Sequence, residues 1–180
     1  MSMDVRSFRN VVGRFATGVT VIATEVDGEI RAMTANSFTS LSLDPPLVLF
    51  CAGKTTKMGQ LVHALEGFSV NILREDQQSI STYFAGGWKE AQPPAFHFLP
   101  WHGGPRLDEC AAALGCVMHT ILEGGDHWIV IGRVLELHHG IESCDPLVFY
   151  GGRYGSLANT AGGPAPDLRA VADPILAEYW

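Results

Sequence analysis

The chain has 180 residues, and 47% of them are hydrophobic and 17% charged. This length suits one compact domain, and so large an apolar fraction supplies a core and excludes bulk disorder. The formal net charge of -7 opposes binding to nucleic acid or to anionic membranes, and no apolar run approaches the roughly 20 residues that span a bilayer. The composition therefore favours a protein with a small-molecule ligand.

The N-terminal segment and the cysteines indicate the compartment. The start, MSMDVRSFRN, lacks the apolar stretch of a secretory signal. The four cysteines form no CxxC pair and mostly have apolar neighbours, which is typical of buried thiols. The histidines and the cysteine between residues 138 and 145 match no common zinc spacing, so no metal is expected. We therefore expect a cytoplasmic protein.

A helix, a hairpin and a polar stretch are predicted in the first third of the chain. Apolar residues at helical spacing predict an amphipathic helix over residues 4 to 15. The β-branched run VTVIATEV, followed by an Asp-Gly dipeptide, predicts a tight β-hairpin. Residues 33 to 43 carry many hydroxyls, and an Asp-Pro-Pro break separates them from a buried strand, LVLFCA.

Two short helices and four strands are predicted in the rest. A Thr-Thr pair can cap a helix that ends near Leu65, and a second helix is predicted over residues 76 to 84. Glycines and prolines interrupt residues 86 to 106, a long excursion that is typical of an active-site flap. Strands are predicted over residues 68 to 73, 111 to 122, 127 to 138 and 147 to 150. A four-residue Glu-Gly-Gly-Asp turn joins the two long strands.

This pattern predicts the fold class. Many strands, few helices and no βαβ alternation favour a mainly β protein, an antiparallel barrel with peripheral α-helices. The domain is expected to span residues 1 to 157. Residues 158 to 180, rich in small residues, Pro and Gly, are expected to form a C-terminal arm or a partly disordered tail.

Several common catalytic motifs are absent. No GxGxxG fingerprint, no GxxxxGK phosphate loop and no GxSxG elbow occur in the sequence. What stands out instead is the alternation of hydroxyl-bearing and apolar residues at positions 33 to 43. Such a strand offers hydrogen-bond donors to a polar ligand edge, although a solvent-facing Ser/Thr strand would have the same composition.

Two separated motifs identify a family. The TANSFTS stretch with its DPP break, the apolar strand after it, and the run at residues 125 to 134 together resemble the flavin reductase-like domain family in order and spacing. The resemblance covers roughly residues 5 to 157. It implies a split antiparallel β-barrel homodimer that binds FMN or FAD near the subunit interface. It also implies an enzyme that uses NADH or NADPH to reduce the flavin for a partner flavin-dependent monooxygenase.

The resemblance also assigns residues to the cofactors. Those expected to bind cofactor are Thr34, Ala35, Asn36, Ser37, Cys51, Ala52, Lys54, Thr55, Thr56, Lys57, Phe84, Ala85, Arg153 and Tyr154. Residues 54 to 57 fall at the phosphate-binding turn of the family, and they combine hydroxyls with two cations. His127 is the candidate catalytic residue, expected to lie beside the nicotinamide and to orient it over the flavin.

Each assignment has a simpler alternative. The phosphate turn could be an ordinary capped surface helix, and Phe84 could belong to the core. His127 could be a turn histidine paired with Asp126, and Arg153 could follow a plain Gly-rich turn. At the level of the whole protein, the alternatives are a non-reductase flavin-binding protein of the same barrel type and a flavin-dependent oxidase. The basic cluster with which such an oxidase would recognise a phosphate ester is not evident.

Overall fold

A computed structural model describes residues 3 to 140 and 144 to 157. The strands are β1 (Thr17–Gly18), β2 (Thr20–Val26), β3 (Glu29–Ala35), β4 (Thr39–Leu43), β5 (Pro46–Gly53), β6 (Gly67–Ile72), β7 (Phe98–Leu99), β8 (Arg106–Leu107), β9 (Ala112–Gly124), β10 (His127–His138), β11 (Val148–Tyr150) and β12 (Arg153–Gly155). The helices are α1 (Val5–Val12), α2 (Lys57–Leu61) and α3 (Gln78–Phe84), with 3-10 turns at Val62–Ala64 and Glu75–Gln77. The predicted mainly β class with peripheral helices is confirmed. The predicted C-terminal arm lies outside the described residues.

Seven strands form the main antiparallel sheet, in the order β3-β2-β6-β9-β10-β5-β4. Its edge strands β3 and β4 are consecutive in the chain, and four Cα–Cα steps from Ala35 to Thr39 reach at most about 15 Å. Six strand spacings in a flat sheet would separate these edges by about 29 Å. The sheet must therefore curl, although β3 and β4 do not pair with each other in the described part of the chain.

The core has two parts, one on each face of the curled sheet. The first cluster includes Ile22, Phe50 and Phe68, and the rings of Phe50 and Phe68 meet edge to face. The second cluster includes Val21 and Leu107, and α3, the strand pair β7-β8 and the small sheet β1-β11-β12 pack around it. Because both faces of β2 are covered, residues 20 to 24 are all buried rather than alternately exposed.

Two of the hairpin turns set the register of their strands. Asp27 and Gly28, with φ of 53° and 76°, form the predicted two-residue turn between β2 and β3. The turn between β9 and β10 also has two residues, since Gly124 pairs with His127, so the predicted four-residue turn is wrong. Gly125 adopts a φ of 70°, which reverses the chain tightly and lets β9 continue to Gly124.

The predicted helices are confirmed but are shorter than expected. The Asp4 side chain accepts hydrogen bonds from the backbone of Arg6 and Ser7, and α1 ends at Val12 rather than residue 15. The helix α2 ends at Leu61 and continues as a 3-10 turn. No helix in the described segments is long and apolar enough to cross a bilayer.

The second half of the predicted flap is fastened to the sheet. The buried Asn71 side chain donates to the Val21 carbonyl oxygen and accepts from the Leu107 backbone N–H, at 3.0 and 2.7 Å. A β-carbon at Gly103 or Gly104 would overlap backbone atoms of the sheet, so this segment lies directly on the strands. Of the predicted flap, only the residues before β7 are left to move as a flap. Within that part, the Phe96 ring packs against Phe84 of α3.

The start of α2 lies in backbone contact with the end of β5. A β-carbon at the buried Gly59 would overlap the carbonyl oxygen of Gly53. The Thr56 side chain caps α2 by accepting a hydrogen bond from the Gly59 backbone N–H at 3.1 Å. Glycine at position 59 is therefore what allows the turn after β5 to fold tightly.

Replacing Gly59 by alanine should destabilise the protein. Alanine ordinarily stabilises a helix relative to glycine, but the overlap at this position should outweigh that gain and lower the free energy of unfolding by about 1–3 kcal/mol. Urea denaturation measures the difference. Gly18→Ala is the control, because a β-carbon there meets no atom within 4 Å and should leave stability nearly unchanged. Increased stability of Gly59→Ala would contradict the close approach.

Candidate functional site

The segment between the two edge strands is held against β5 by Ser37. The Ser37 hydroxyl accepts a hydrogen bond from the Cys51 backbone N–H at 3.0 Å and lies 3.3 Å from the Cys51 carbonyl oxygen. On the other side, the Thr20 hydroxyl donates to the Ala35 carbonyl oxygen at 2.8 Å. Between these anchors the Asn36 side chain is exposed. The structure thus brings the predicted residues 34 to 37 together with Cys51.

A hydrogen-bonded chain connects this segment to the C-terminal hairpin. The Thr34 hydroxyl donates to the Ser81 carbonyl oxygen at 2.6 Å, and the Ser81 hydroxyl lies 2.9 Å from the Tyr154 hydroxyl. Ser81 is fully buried in α3, so β3, α3 and β12 are linked through one residue. Tyr154 therefore lies near the predicted segment, whereas Arg153 is exposed at the start of β12.

The turn after β5 carries the predicted phosphate-binding residues. The Thr56 hydroxyl donates to the Gly53 carbonyl oxygen at 2.8 Å and also caps α2, so it is engaged within the turn. Thr55 and Lys57 are exposed. The Lys54 backbone N–H donates to the Asp126 carbonyl oxygen at 2.9 Å, which ties this turn to the β9–β10 turn.

The Lys54 side chain is also engaged. Its ammonium lies 3.2 Å from a Glu123 carboxylate oxygen and 4.5 Å from the centroid of the Trp128 ring. The ring of His63 meets Trp128 edge to face at 4.8 Å. Lys54 is therefore held at the end of the sheet by an ion pair and a cation–π contact.

His127 begins β10 directly beside the turn after β5. Its Cα is paired with that of Gly53, and a β-carbon on Gly53 would lie 3.6 Å from the His127 Nε2 atom. The other ring nitrogen, Nδ1, lies 2.8 Å from an Asp126 carboxylate oxygen. This hydrogen bond lowers the pKa of the Asp126 carboxyl. The pairing anticipated as the simpler alternative is present, and the exposed ring still adjoins the predicted turn.

The side chains of three of the predicted residues pack inside the protein rather than toward a ligand. The side chains of Ala35 and Ala52 face the core, so these residues could contact a ligand only through their backbone. The Phe84 ring meets Phe96 and Phe98 in an aromatic cluster, as a core residue would. The adjacent Ala85 is the C-cap residue that follows α3 and is exposed.

Two residues of this region were not predicted from the sequence. Ser81 lies three positions before Phe84 on the predicted inward face of a helix, which is the only signal that could have drawn attention to it. The sequence pattern places Glu123 in a four-residue turn. Its position opposite Trp128 follows only from the two-residue turn and the register that it sets.

The arrangement combines hydroxyls, an exposed amide, two cations and a histidine around the ends of β3 and β5. Both α2 and α3 contact β3, the strand that carries Thr34 and Ala35. Such a set can hydrogen-bond a polar ring and attract an anion. In the part of the chain that the structure describes, no group of three side chains suited to a metal ion occurs.

The sequence is similar to a known protein family and to a curated protein, and both descriptions name a reductase. A family model described as the flavin reductase like domain matches residues 12 to 158. The chain is 37% identical to the flavin-dependent monooxygenase reductase subunit HsaB of Rhodococcus jostii, with 99% of this chain and 93% of the relative covered.

Two solved structures of flavin reductases have folds similar to that of this chain. The flavin reductase PheA2 in its native state has a TM-score of 0.81 and 41% identity, covering 87% of this chain and 99% of that one. The NADH:FAD oxidoreductase SgcE6 of Streptomyces globisporus, in complex with NAD and FAD fragments, has a TM-score of 0.79 and 37% identity, covering 88% and 95%.

Proposed function

Because this chain belongs to the flavin reductase like domain family, we propose that it transfers a hydride from NADH or NADPH to FMN or FAD and supplies the reduced flavin to a partner monooxygenase. The resemblance found in the sequence is thereby confirmed at the level of the family. The observation that carries the proposal is the anchoring of residues 34 to 37 against β5, beside the turn of residues 54 to 57 and beside His127.

The donor set fits a flavin. Asn36 and the backbone of residues 34 to 37 offer donors and acceptors to the polar edge of the ring, and half-buried Cys51 lies next to them. The exposed Thr55 hydroxyl and Lys57 ammonium suit a phosphate group. Thr34 already donates its hydroxyl hydrogen to Ser81, so toward a ligand it would act as an acceptor.

The protein has to hold two rings together rather than supply a strong acid or base. The hydride would pass from C4 of a bound nicotinamide to N5 of a bound flavin, so the contribution of the protein would be to position the two rings. His127 can contribute through its tautomer. In the tautomer that donates from Nδ1 to the Asp126 carboxylate, the Nε2 lone pair would be an acceptor. That acceptor suits the N–H groups of the nicotinamide carboxamide.

We further propose the split-barrel form and the homodimer implied by the family. The curl of the sheet supports the barrel, because its edge strands β3 and β4 are joined by residues 36 to 38 alone.

Exposed apolar side chains support the dimer. Phe8 and Phe15 near α1 are 54% and 77% exposed, and Leu43 on β4 is 69% exposed. Cys51, Cys110 and Cys116 form no disulfide, which supports the reducing cytoplasm as the proposed location; cell fractionation checks it.

Sedimentation velocity tests the dimer. The expected particle has twice the 19.5 kDa mass of the chain, because the exposed apolar surfaces would be covered on association. A single-chain mass across the concentration range of the activity assay would contradict it.

Steady-state oxidation of the nicotinamide tests the enzyme. Purified protein with FMN or FAD should consume NADH or NADPH, whereas a storage protein would bind flavin without turnover. A flavin-dependent oxidase would instead require an organic substrate. Failure of all four pairings of flavin and nicotinamide would contradict a reductase.

Replacing His127 by alanine should impair nicotinamide use more than flavin binding. Loss of one hydrogen bond to the carboxamide should raise KM for the nicotinamide about tenfold, or about 1.4 kcal/mol, while the flavin Kd changes less than about twofold. Initial rates and flavin titration give the two values. His102→Ala is the control, since His102 is an exposed histidine paired with Glu136 far from the turn. A collapse of flavin affinity with unchanged nicotinamide use would show that the role is wrong.

A further inference from the structure

One of the two cations in the predicted phosphate-binding turn is already paired with an anion of the protein itself. The Lys54 ammonium lies 3.2 Å from the Glu123 carboxylate, whereas Lys57 is exposed. The pair joins two elements that are 69 positions apart in the chain, so it results from the fold rather than from sequence proximity.

The register of the sheet explains why Glu123 reaches Lys54. Trp128 on β10 pairs with Glu123 on β9 and with Ala52 on β5, so the three residues share one face of the sheet. The chain leaves β5 at Gly53, and the Lys54 side chain lies over the Trp128 ring toward Glu123. His127, the next residue along, belongs to the opposite face. The Lys54 side chain is therefore drawn away from the face that carries His127.

We propose that Glu123 competes with the flavin phosphate for Lys54 and thereby weakens the retention of flavin. The inference rests on the proposed function and deepens it, since it concerns the affinity of the same site. The phosphate of FMN is a monoester with a charge of about -1.5 to -2 near neutral pH, so it is a stronger partner for an ammonium than one carboxylate. To contact the phosphate, however, Lys54 must first leave Glu123.

The exposure of the pair makes this exchange feasible. The Glu123 side chain is 73% exposed and the Lys54 side chain 30% exposed. Ion pairs at such exposure are weak and open readily, so Glu123 can compete without blocking the turn. A reductase that passes reduced flavin to another protein benefits from an internal competitor, because a tightly retained flavin would not leave.

Flavin binding by Glu123→Gln tests the proposal. The amide cannot pair with Lys54 as an ion, so FMN should bind about two- to fivefold more tightly than to the unmodified chain. Riboflavin, which has the same ring and no phosphate, should bind with unchanged Kd. Quenching of flavin fluorescence during titration gives both constants, and the riboflavin value also verifies that the variant is folded.

Glu136→Gln is the matched control. It raises the net charge by the same amount and likewise replaces a carboxylate that contacts a nitrogen-bearing side chain, here His102 Nδ1 at 2.9 Å. Glu136 lies nine residues beyond His127 along β10, about 30 Å from the turn. The Glu136→Gln variant should bind FMN with the same affinity as the unmodified chain.

A second variant tests whether the effect passes through Lys54. Lys54→Met should weaken FMN binding, and adding Glu123→Gln to it should produce no further tightening. The proposal is overturned if Glu123→Gln binds FMN no more tightly, if riboflavin tightens equally, or if Glu136→Gln matches Glu123→Gln. Tightening that persists in the double variant also overturns it. If the unmodified chain reduces flavin while these results fail, only this inference falls; if it neither binds nor reduces flavin, the proposed function falls with it.

Discussion

Residues 36 to 38 connect the two edge strands of the seven-stranded sheet, and this short connection forces the sheet to curl. The curl encloses the first core cluster, while the second cluster, which includes Val21 of β2 and Ala113 of β9, covers the opposite face of the sheet. The connecting residues cannot relax away from the sheet, because Ser37 is hydrogen-bonded to both backbone polar groups of Cys51. The constraint that shapes the sheet therefore also fixes the polar segment that the flavin is proposed to contact.

The neighbouring turn of residues 54 to 57 is also fixed by backbone contacts and hydrogen bonds. Gly59 allows α2 to approach the Gly53 carbonyl group closely. The Thr56 hydroxyl donates to that carbonyl oxygen and accepts a hydrogen bond from the Gly59 backbone N–H. His127 is then placed by strand pairing rather than by side-chain contacts, since its Cα lies opposite that of Gly53. Anchoring by backbone suits a reaction in which the cofactors do the chemistry and the protein orients them.

Much of this arrangement could be predicted from the sequence, for identifiable reasons. The Asp27-Gly28 turn, the cap on α2 and the long strands β9 and β10 are local features, and each was confirmed. The motif that includes residues 34 to 37 identified the family. The tight β9–β10 turn, the hydrogen bond that holds Leu107 to Asn71, and the contacts of Glu123 and Ser81 could not be predicted. Each of these depends on register or on residues that are distant in the chain.

We propose that this chain holds a nicotinamide and a flavin in one fixed orientation for hydride transfer. Anaerobic mixing of the flavin-loaded protein with nicotinamide deuterated on either face of C4 tests it most directly. The yellow absorbance of oxidised flavin should disappear in a single turnover, and deuterium on only one face should slow this loss. Absorbance that persists, or equal slowing from both faces, would show that the two rings are not held in one orientation.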